Sequence, residues 1–219
     1  MFIDRKDAGR ALAEKLSRYA GRADVVVLGL PRGGVPVAAE VARALAAPLD
    51  VFVVRKIGLP GNPELAMGAI ASGGVTVLST DLIARLRVPP AAVEETIARE
   101  REELARRERS YRGGRGAPDL AGRTVLLVDD GLATGATMRA AVASVRKLRP
   151  RAIVVAVPVA SPSACADAAA EADACVCLAT PPDFTAVGEW YVDFGQTTDE
   201  EVRALLSAAS PEAQAPGPR

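Results

Sequence analysis

The chain of 219 residues contains no histidine. This absence excludes His-based catalytic triads, His-ligated metal ions and acid–base catalysis by imidazole. Any chemistry must therefore come from carboxylates, lysines, arginines, hydroxyl groups and backbone amides.

Cysteine is also scarce, and the three that occur, Cys165, Cys175 and Cys177, include no CxxC pair. An odd number without that spacing argues against a disulfide framework and against a structural zinc site. Cys175 and Cys177 stand two apart in a strand-like run, so their side chains share one face of that strand. We therefore expect all three to act as small core hydrophobes rather than as redox or metal-binding groups.

Long apolar runs and an excess of charge of one sign are absent as well. Lysine plus arginine number 27, and aspartate plus glutamate also number 27, so the overall charge indicates neither a nucleic-acid nor a membrane partner. No apolar run reaches the length of a bilayer span, and residues 1–16 carry charges where a signal peptide needs an apolar stretch. We expect a cytoplasmic protein that binds a small molecule.

What the sequence does contain is an alternation of strand and helix patterns. Short, continuous apolar runs have the composition of strands buried on both faces of a parallel sheet. They span residues 25–30, 49–54, 124–128, 153–157 and 174–178. Helical patterns between them indicate a doubly wound, mostly parallel α/β sheet. Such sheets bind ligands at the carboxyl ends of their strands, so the loops that follow the strands carry the functional information.

The other segments are assigned around this sheet. Glycines and prolines predict a loop at residues 55–68, and a short strand is predicted at 75–78. The larger divisions are one domain over residues 1–208, a helical insertion or lid region at 81–118, a C-terminal hood at 180–208 and a disordered tail at 209–219.

A long charged helix is predicted at residues 89–112, with few apolar residues to mark a buried stripe. Four of its basic residues could reach over a ligand site as part of a lid: Arg106, Arg107, Arg109 and Arg112. A solvated helix face or a contact between subunits is the alternative that the charge pattern favours. We expect the protein to form a homo-oligomer, with a dimer as the simplest case.

The most informative segment follows the strand that ends at residue 128. Two adjacent carboxylates, Asp129 and Asp130, precede a loop at 131–137 that is rich in glycine and threonine and opens a helix. A helix N-terminus presents unpaired N–H groups and the positive end of the helix dipole, so a phosphate group can bind there without a lysine. Two ionised carboxylates would repel a polyphosphate, but they can accept hydrogen bonds from vicinal sugar hydroxyls. Ribose 5-phosphate satisfies both parts of the segment.

Residues 125–137, VLLVDDGLATGAT, resemble over their whole length the thirteen-residue motif by which type I phosphoribosyltransferases bind 5-phosphoribosyl-1-pyrophosphate (PRPP). The resemblance implies that Asp129 and Asp130 hold the ribose hydroxyls in catalysis. It also implies that the 5-phosphate is bound by the loop residues Ala133, Thr134, Gly135, Ala136 and Thr137. Some purine enzymes of the family have an aspartate in the place of Ala133, whereas the adenine branch also has alanine. This loop therefore implies no catalytic base that would act on N7 of a purine acceptor.

Two further loops agree with this resemblance. Arg32, Gly33 and Gly34 follow the first strand and offer glycine amides and a guanidinium to a second anionic group. They resemble the family's pyrophosphate loop, in which a non-proline cis peptide bond is common, and we predict such a bond immediately before or after Arg32. Arg55 and Lys56 end the second strand, where the family places basic residues that neutralise the leaving pyrophosphate. A solvated strand end is the alternative for these two.

Half of the eight aromatic residues fall in one short stretch after the fifth strand, namely Phe184, Trp190, Tyr191 and Phe194. They could form a hood that stacks an aromatic acceptor, with Trp190 and Tyr191 as the candidate acceptor-binding residues. A minor hydrophobic cluster under the C-terminal segment is an equally good interpretation. Glu189 and Asp193 nearby are candidate acid–base groups.

The resemblance implies an enzyme that uses PRPP and Mg²⁺ to transfer ribose 5-phosphate to an aromatic, nucleobase-like nitrogen acceptor, with release of pyrophosphate. The Mg²⁺ would be held mainly through PRPP, without direct protein ligands. One alternative is a regulator that keeps the fold and senses PRPP or a nucleotide without catalysis, and another is a general phosphosugar-binding or hydrolytic protein. The sequence does not identify the acceptor.

Overall fold

A five-stranded parallel sheet lies at the centre of the structure, a computed structural model that describes residues 1–209 apart from the side chains of residues 63 and 64. The strands, in chain order, are β1 (Val25–Gly29), β2 (Leu49–Val51), β3 (Val54–Leu59), β4 (Asn62–Ala71), β5 (Val75–Leu78), β6 (Thr124–Val128), β7 (Ala152–Val159) and β8 (Ala174–Ala179). The α-helices are α1 (Arg5–Lys15), α2 (Gly34–Leu45), α3 (Thr80–Arg85), α4 (Pro90–Arg112), α5 (Ala136–Lys147), α6 (Pro162–Glu171) and α7 (Asp199–Ala208).

The central sheet has the strand order β2-β1-β6-β7-β8, and all of its pairings are parallel. Every residue of β1 and β6 is buried, as the continuous apolar runs predict. Strand β1 pairs with β6 in register from Val25 opposite Thr124 to Gly29 opposite Val128. Both strands therefore end at the same level, which brings the loops that follow them side by side.

Helices cover both faces of this sheet, which confirms the predicted doubly wound α/β fold. Alternate residues of β1 point to opposite sides, with Val25 and Val27 in one core and Val26 and Leu28 in the other. The first core is closed by α1, α2, α4 and α7, and the second by α5 and α6.

A second, antiparallel sheet with the order β3-β4-β5 occupies the segment predicted as a loop at 55–68. That prediction is wrong because the glycines and prolines of this segment lie in a hairpin. Gly61, at the turn, has a φ of +81°, and the pairing is irregular between Ile57 and Leu59. The predicted second strand is also shorter than expected, since the chain leaves the parallel sheet after Val51.

Helix α4 lies across β3 and α7 rather than projecting into solvent. It buries a narrow stripe that includes Val93 and Leu104. Arg112 was predicted as one of four candidate lid residues, but its side chain is 5% exposed and donates to both carboxylate oxygens of Asp50, at 3.0 and 3.2 Å, and to the carbonyl of Val51 at 2.8 Å. Arg112 therefore fastens the end of α4 to β2.

The other three basic residues of the helix remain at its surface. Arg106 and Arg107 both bind Glu103, at 2.6 and 2.9 Å, and Arg109 is exposed. These contacts are those of a solvated helix face, the alternative that the charge pattern favours.

The cysteines match the predicted core hydrophobes in part, because all three pack against the second core, but two of them are also joined covalently. Cys165 of α6 and Cys177 of β8 form a disulfide, and Cys175 is free, with all three residues half-buried. Sequence spacing gives no signal for this pair, because two residues 12 positions apart are brought together here only when α6 packs back onto β8.

The hood contains the N-terminus as well as the predicted segment at 180–208. A short 3-10 turn at Val187–Trp190 leads to Tyr191, which forms an isolated bridge with Phe2 before α7 begins.

Of the predicted tail, residues 210–219 lie outside the described part of the chain. The assignment of 1–208 to one domain stays a prediction. Within residues 1–209, none of the helices combines the length and the apolar composition that crossing a bilayer requires.

Candidate functional site

The site is centred on Asp129 and Asp130, which follow directly after the buried strand β6. The Asp129 carboxylate accepts a hydrogen bond from the backbone N–H of Asp130 at 2.9 Å. Burial, and then the charge of Asp130, raise the pKa of Asp129 well above its ordinary value. Burial also raises the pKa of Asp130. Two acids whose environment disfavours charge, at the carboxyl end of a central strand, are typical of a functional site.

Arg5 provides the cation that faces this acid pair, and the sequence analysis did not find it. Its Nε donates to the Asp130 carboxylate at 2.8 Å, and the two side chains are 12% and 15% exposed. The same guanidinium donates to the carbonyl of Gly195 at 2.7 Å and lies 3.9 Å from the ring centroid of Phe194. Arg5 opposes the rise in the pKa of Asp130. Nothing in the sequence distinguishes Arg5 from the other basic residues of α1.

Tyr191, a candidate acceptor-binding residue, lies beneath the acid pair. Its hydroxyl donates to the backbone carbonyl of Asp130 at 2.6 Å, the residue is 5% exposed, and burial raises its pKa. It packs against Phe2 and Phe194 in the minor hydrophobic cluster that was the other interpretation of these aromatics. Trp190 is half-buried at the edge of that cluster. Phe194 is more exposed, at 37%, but its ring is already in contact with Arg5 and Tyr191.

The second part of the site is the loop that joins β6 to α5. Gly135 caps α5 with a φ of +69°, a conformation that suits glycine. The four neighbours predicted to bind phosphate are exposed, namely Ala133, Thr134, Ala136 and Thr137. The first N–H groups of α5 have no partner within the helix, and that of Ala136 donates to the hydroxyl of Thr134 at 3.4 Å. We refer to residues 133–137 as the phosphate cradle.

The cradle is held from behind by the start of α6. The hydroxyl of Ser161 donates to the carbonyl of Ala133 at 2.8 Å, and Leu132 exchanges backbone hydrogen bonds with Val159 and Ser161 at 2.9 Å. These contacts fix the backbone of the loop and leave its outer face open.

The predicted pyrophosphate loop lies against the acid pair. The peptide bond between Pro31 and Arg32 is cis, which confirms the predicted isomer, and Arg32 is exposed. A Cβ at Gly33 would lie 2.0 Å from the Asp130 carboxylate, and a Cβ at Gly34 would lie 2.7 Å from the carbonyl of Val128. The two glycines therefore permit the close approach of the loops after β1 and β6.

Arg55 and Lys56 point in different directions, because neighbouring residues of a strand face opposite sides. Arg55 binds Glu100 of α4, with Nη2 to Oε2 at 2.6 Å, and its Nη1 lies 3.9 Å from Glu103. Lys56 is exposed and lines a cleft together with Ala136 and Thr137 of the cradle. Arg55 thus lies against α4, whereas Lys56 lines clefts beside both α4 and the cradle.

Of the two candidate acid–base groups, Glu189 is exposed in the 3-10 turn, and Asp193 accepts a hydrogen bond from the N–H of Gly195 at 2.9 Å. Neither has a hydrogen bond to the acid pair among the contacts of the described residues. Their predicted role stays a prediction.

Comparison with known proteins agrees with this arrangement. A sequence model of the phosphoribosyl transferase domain matches residues 3–194. Two proteins of Mycobacterium tuberculosis, from strains CDC 1551 and H37Rv, are 50% identical over 209 residues, or 95% of this chain, and both are provisionally named phosphoribosyl transferases. The chain spans 47% of the length of these relatives.

Solved structures give the same fold. The crystal structure of TT1426 from Thermus thermophilus is 50% identical and covers 94% of this chain and 97% of its own, with a TM-score of 0.82. A Neisseria gonorrhoeae protein solved with bound ppGpp is 18% identical, covers 94% and 93% of the two chains, and has a TM-score of 0.50, a likeness of fold alone. Because the domain match takes in the strands, the acid pair and the cradle, this chain belongs to the phosphoribosyl transferase domain family.

Proposed function

We propose that the protein binds PRPP with Mg²⁺ and transfers its ribose 5-phosphate group to a nitrogen of an aromatic acceptor, with release of pyrophosphate. The observation that carries the proposal is the position of Asp129 and Asp130 at the end of β6, immediately before an exposed cradle at the N-terminus of α5. The acids suit a sugar diol, and the cradle suits its phosphate.

Each part of the site has a distinct task in this proposal. The two carboxylates accept hydrogen bonds from the 2′ and 3′ hydroxyls, and the amides and threonine hydroxyls of the cradle hold the 5-phosphate. Arg32 and Lys56, both exposed, are assigned to neutralise the charge of the departing pyrophosphate. Arg55 can join them only after it leaves Glu100. These groups orient the ribose so that the acceptor approaches the carbon from which pyrophosphate leaves.

The acid pair also bears on how Mg²⁺ would be held. Asp129 bonds the N–H of Asp130, and Asp130 bonds Arg5, so few carboxylate oxygens remain for direct coordination. This arrangement fits an ion that arrives with PRPP and keeps phosphate, ribose and water oxygens as its ligands. Bound in that way, Mg²⁺ would supply charge neutralisation for the departing pyrophosphate.

Isothermal titration of PRPP in the presence of Mg²⁺ tests the ribose assignment. Replacing both acids, Asp129→Asn and Asp130→Asn, removes two charged acceptors worth about 1.5–3 kcal/mol each, so we expect affinity to fall by a hundredfold or more. Asp119→Asn is the matched control, because Asp119 is exposed in the loop before β6, at the other end of the strand. Unchanged PRPP affinity in the double variant would show that the acids do not hold the ribose.

Turnover separates an enzyme from a PRPP or nucleotide sensor on the same fold. The protein is incubated with PRPP, Mg²⁺ and a panel of nucleobases and related nitrogen heterocycles, and pyrophosphate and nucleotide are both measured. We expect stoichiometric release of both products with at least one acceptor. Tight binding of PRPP without products would favour the sensor, and binding of ribose 5-phosphate as tightly as PRPP would favour a general phosphosugar-binding protein.

A further inference from the structure

The three cysteines form a cluster that the proposed reaction does not use. Besides the Cys165–Cys177 disulfide, the Cys175 sulfur lies 3.6 Å from that of Cys177, and the ligand atoms of all three lie within 4.8 Å of one another. All three are half-buried, and β8 is an edge strand of the sheet. The three residues are therefore partly exposed at the edge of the sheet, unlike cysteines in a closed core.

The cluster connects directly to the phosphate cradle. Cys165 lies in the first turns of α6, and its backbone N–H donates to the carbonyl of Ser161 at 3.0 Å. Ser161 caps the helix and bonds Ala133 of the cradle. Gly135 of the cradle also lies close to α6. A Cβ added at Gly135 would be 3.3 Å from the Cβ of Ala164, the residue before Cys165. The cradle and the disulfide therefore contact neighbouring residues of α6, Ala164 and Cys165.

Helix α6 has a small buried face and is otherwise held to α5 by surface contacts, from Arg139 to Asp167 at 3.0 Å and from Arg146 to the carbonyl of Glu171 at 3.1 Å. It is ten residues long and buries only Ala164 and Ala168, whose methyl side chains remove little apolar surface from water. A short helix of this kind depends on tertiary contacts for its stability. The bond from Cys165 to Cys177 links α6 covalently to β8. It therefore restricts how far α6, which supports the cradle from behind, can move.

We propose that Cys165 and Cys177 form a thiol–disulfide modification site, in which oxidation by a small-molecule disulfide closes the bond between them and fixes α6 and the cradle behind the bound phosphate. The effect on ligand affinity rests on the proposed function, whereas the effect on the mobility of the loop does not. Burial raises the pKa of the Cys175 thiol, which disfavours the thiolate that exchange requires.

The thiol–disulfide exchange with the small molecule takes place in two steps. The thiolate of one cysteine attacks the small-molecule disulfide, forms a mixed disulfide and releases one small thiolate. The second cysteine, as its thiolate, then attacks the protein-side sulfur of the mixed disulfide, which forms Cys165–Cys177 and releases the second small thiolate. Two protein thiols are oxidised, and one small disulfide is reduced to two thiols.

Thiol titration and hydrogen exchange test the site without any ligand. The full chain is treated with oxidised glutathione or with dithiothreitol, and free thiols are counted after denaturation. We expect one thiol per oxidised chain and three per reduced chain, with the peptide that spans residues 131–138 exchanging at least threefold more slowly when oxidised. Cys165→Ser should abolish this difference, because the remaining pair lies on one strand. Cys175→Ser should keep it and is the matched control.

Titration with ribose 5-phosphate then measures the effect on the cradle. We expect affinity to be at least threefold tighter in the oxidised wild type, and equal in the two states of Cys165→Ser. Altered hydrogen exchange with no binding in either state would support the modification site and count against the proposed function. Identical exchange rates in both states would overturn the inference. It would also be overturned if the reduced protein retained one zinc ion per chain that blocked oxidation, since the cluster would then be a metal site.

Discussion

Arg5→Gln is the substitution that probes the site most directly. It removes the cation that lies 2.8 Å from the Asp130 carboxylate in a pair whose side chains are only 12% and 15% exposed. Removing one partner of such a pair leaves a charge that is neither solvated nor paired, at a cost of about 3 kcal/mol. Protonation of Asp130 would recover part of that free energy, so the cost should be greatest at neutral and higher pH.

A double-mutant cycle with Asp130→Asn isolates the interaction. Urea unfolding of the wild type, both single variants and the double variant at pH about 7.5 should give a coupling free energy of about 2 kcal/mol between the two side chains. Arg10 and Asp7 supply the matched control in the same helix, since this 3.5 Å pair has side chains 54% and 35% exposed and should couple by under about 0.5 kcal/mol. Equal coupling in the two pairs would refute the structural argument.

The same variant makes a prediction about ligand binding. Without Arg5 the pKa of Asp130 should rise further, because the guanidinium opposes the effect of burial. Below that pKa, each unit of increase lowers the ionised fraction about tenfold, so affinity for ribose 5-phosphate should fall most at acidic pH and recover as pH rises. Arg5→Lys should keep the wild-type profile in part. Tighter binding by Arg5→Gln at every pH would show instead that Arg5 competes with the ribose for Asp130.

Three further substitutions test the surroundings of the site. Asp129→Asn should raise the melting temperature at neutral pH, because the folded-state pKa of Asp129 lies above its unfolded value; the gain should vanish as pH falls well below the unfolded-state pKa of about 3.9, where both states are protonated. Gly34→Ala should lower the unfolding free energy by about 1–3 kcal/mol through contact with backbone atoms, whereas Gly116→Ala, with open space around it, should leave the urea midpoint unchanged. Arg112→Gln should destabilise by about 3 kcal/mol, and an equal loss for the exposed Arg109→Gln would contradict the assigned packing role.

The parallel sheet and the central motif could be predicted because their signals are local. A strand buried on both faces must be continuously apolar, and β1, β6 and β7 are. A helix N-terminus that follows such a strand has a fixed position at the edge of the sheet, which places Asp129, Asp130 and residues 133–137 together. The hairpin of β3 and β4 was missed because its glycines and prolines have the composition of a loop, and its pairing is irregular.

The sequence alone therefore determined the layers of the fold and the motif after β6, where neighbouring residues carry both the structural and the chemical signal. Only the tertiary structure decided which groups surround that motif. Arg5 reaches Asp130 across 125 positions, Tyr191 reaches the same residue across 61, and Cys165 meets Cys177 only when α6 packs on β8. These contacts depend on how whole helices and the hood pack against the sheet, and no local pattern of residues encodes that packing.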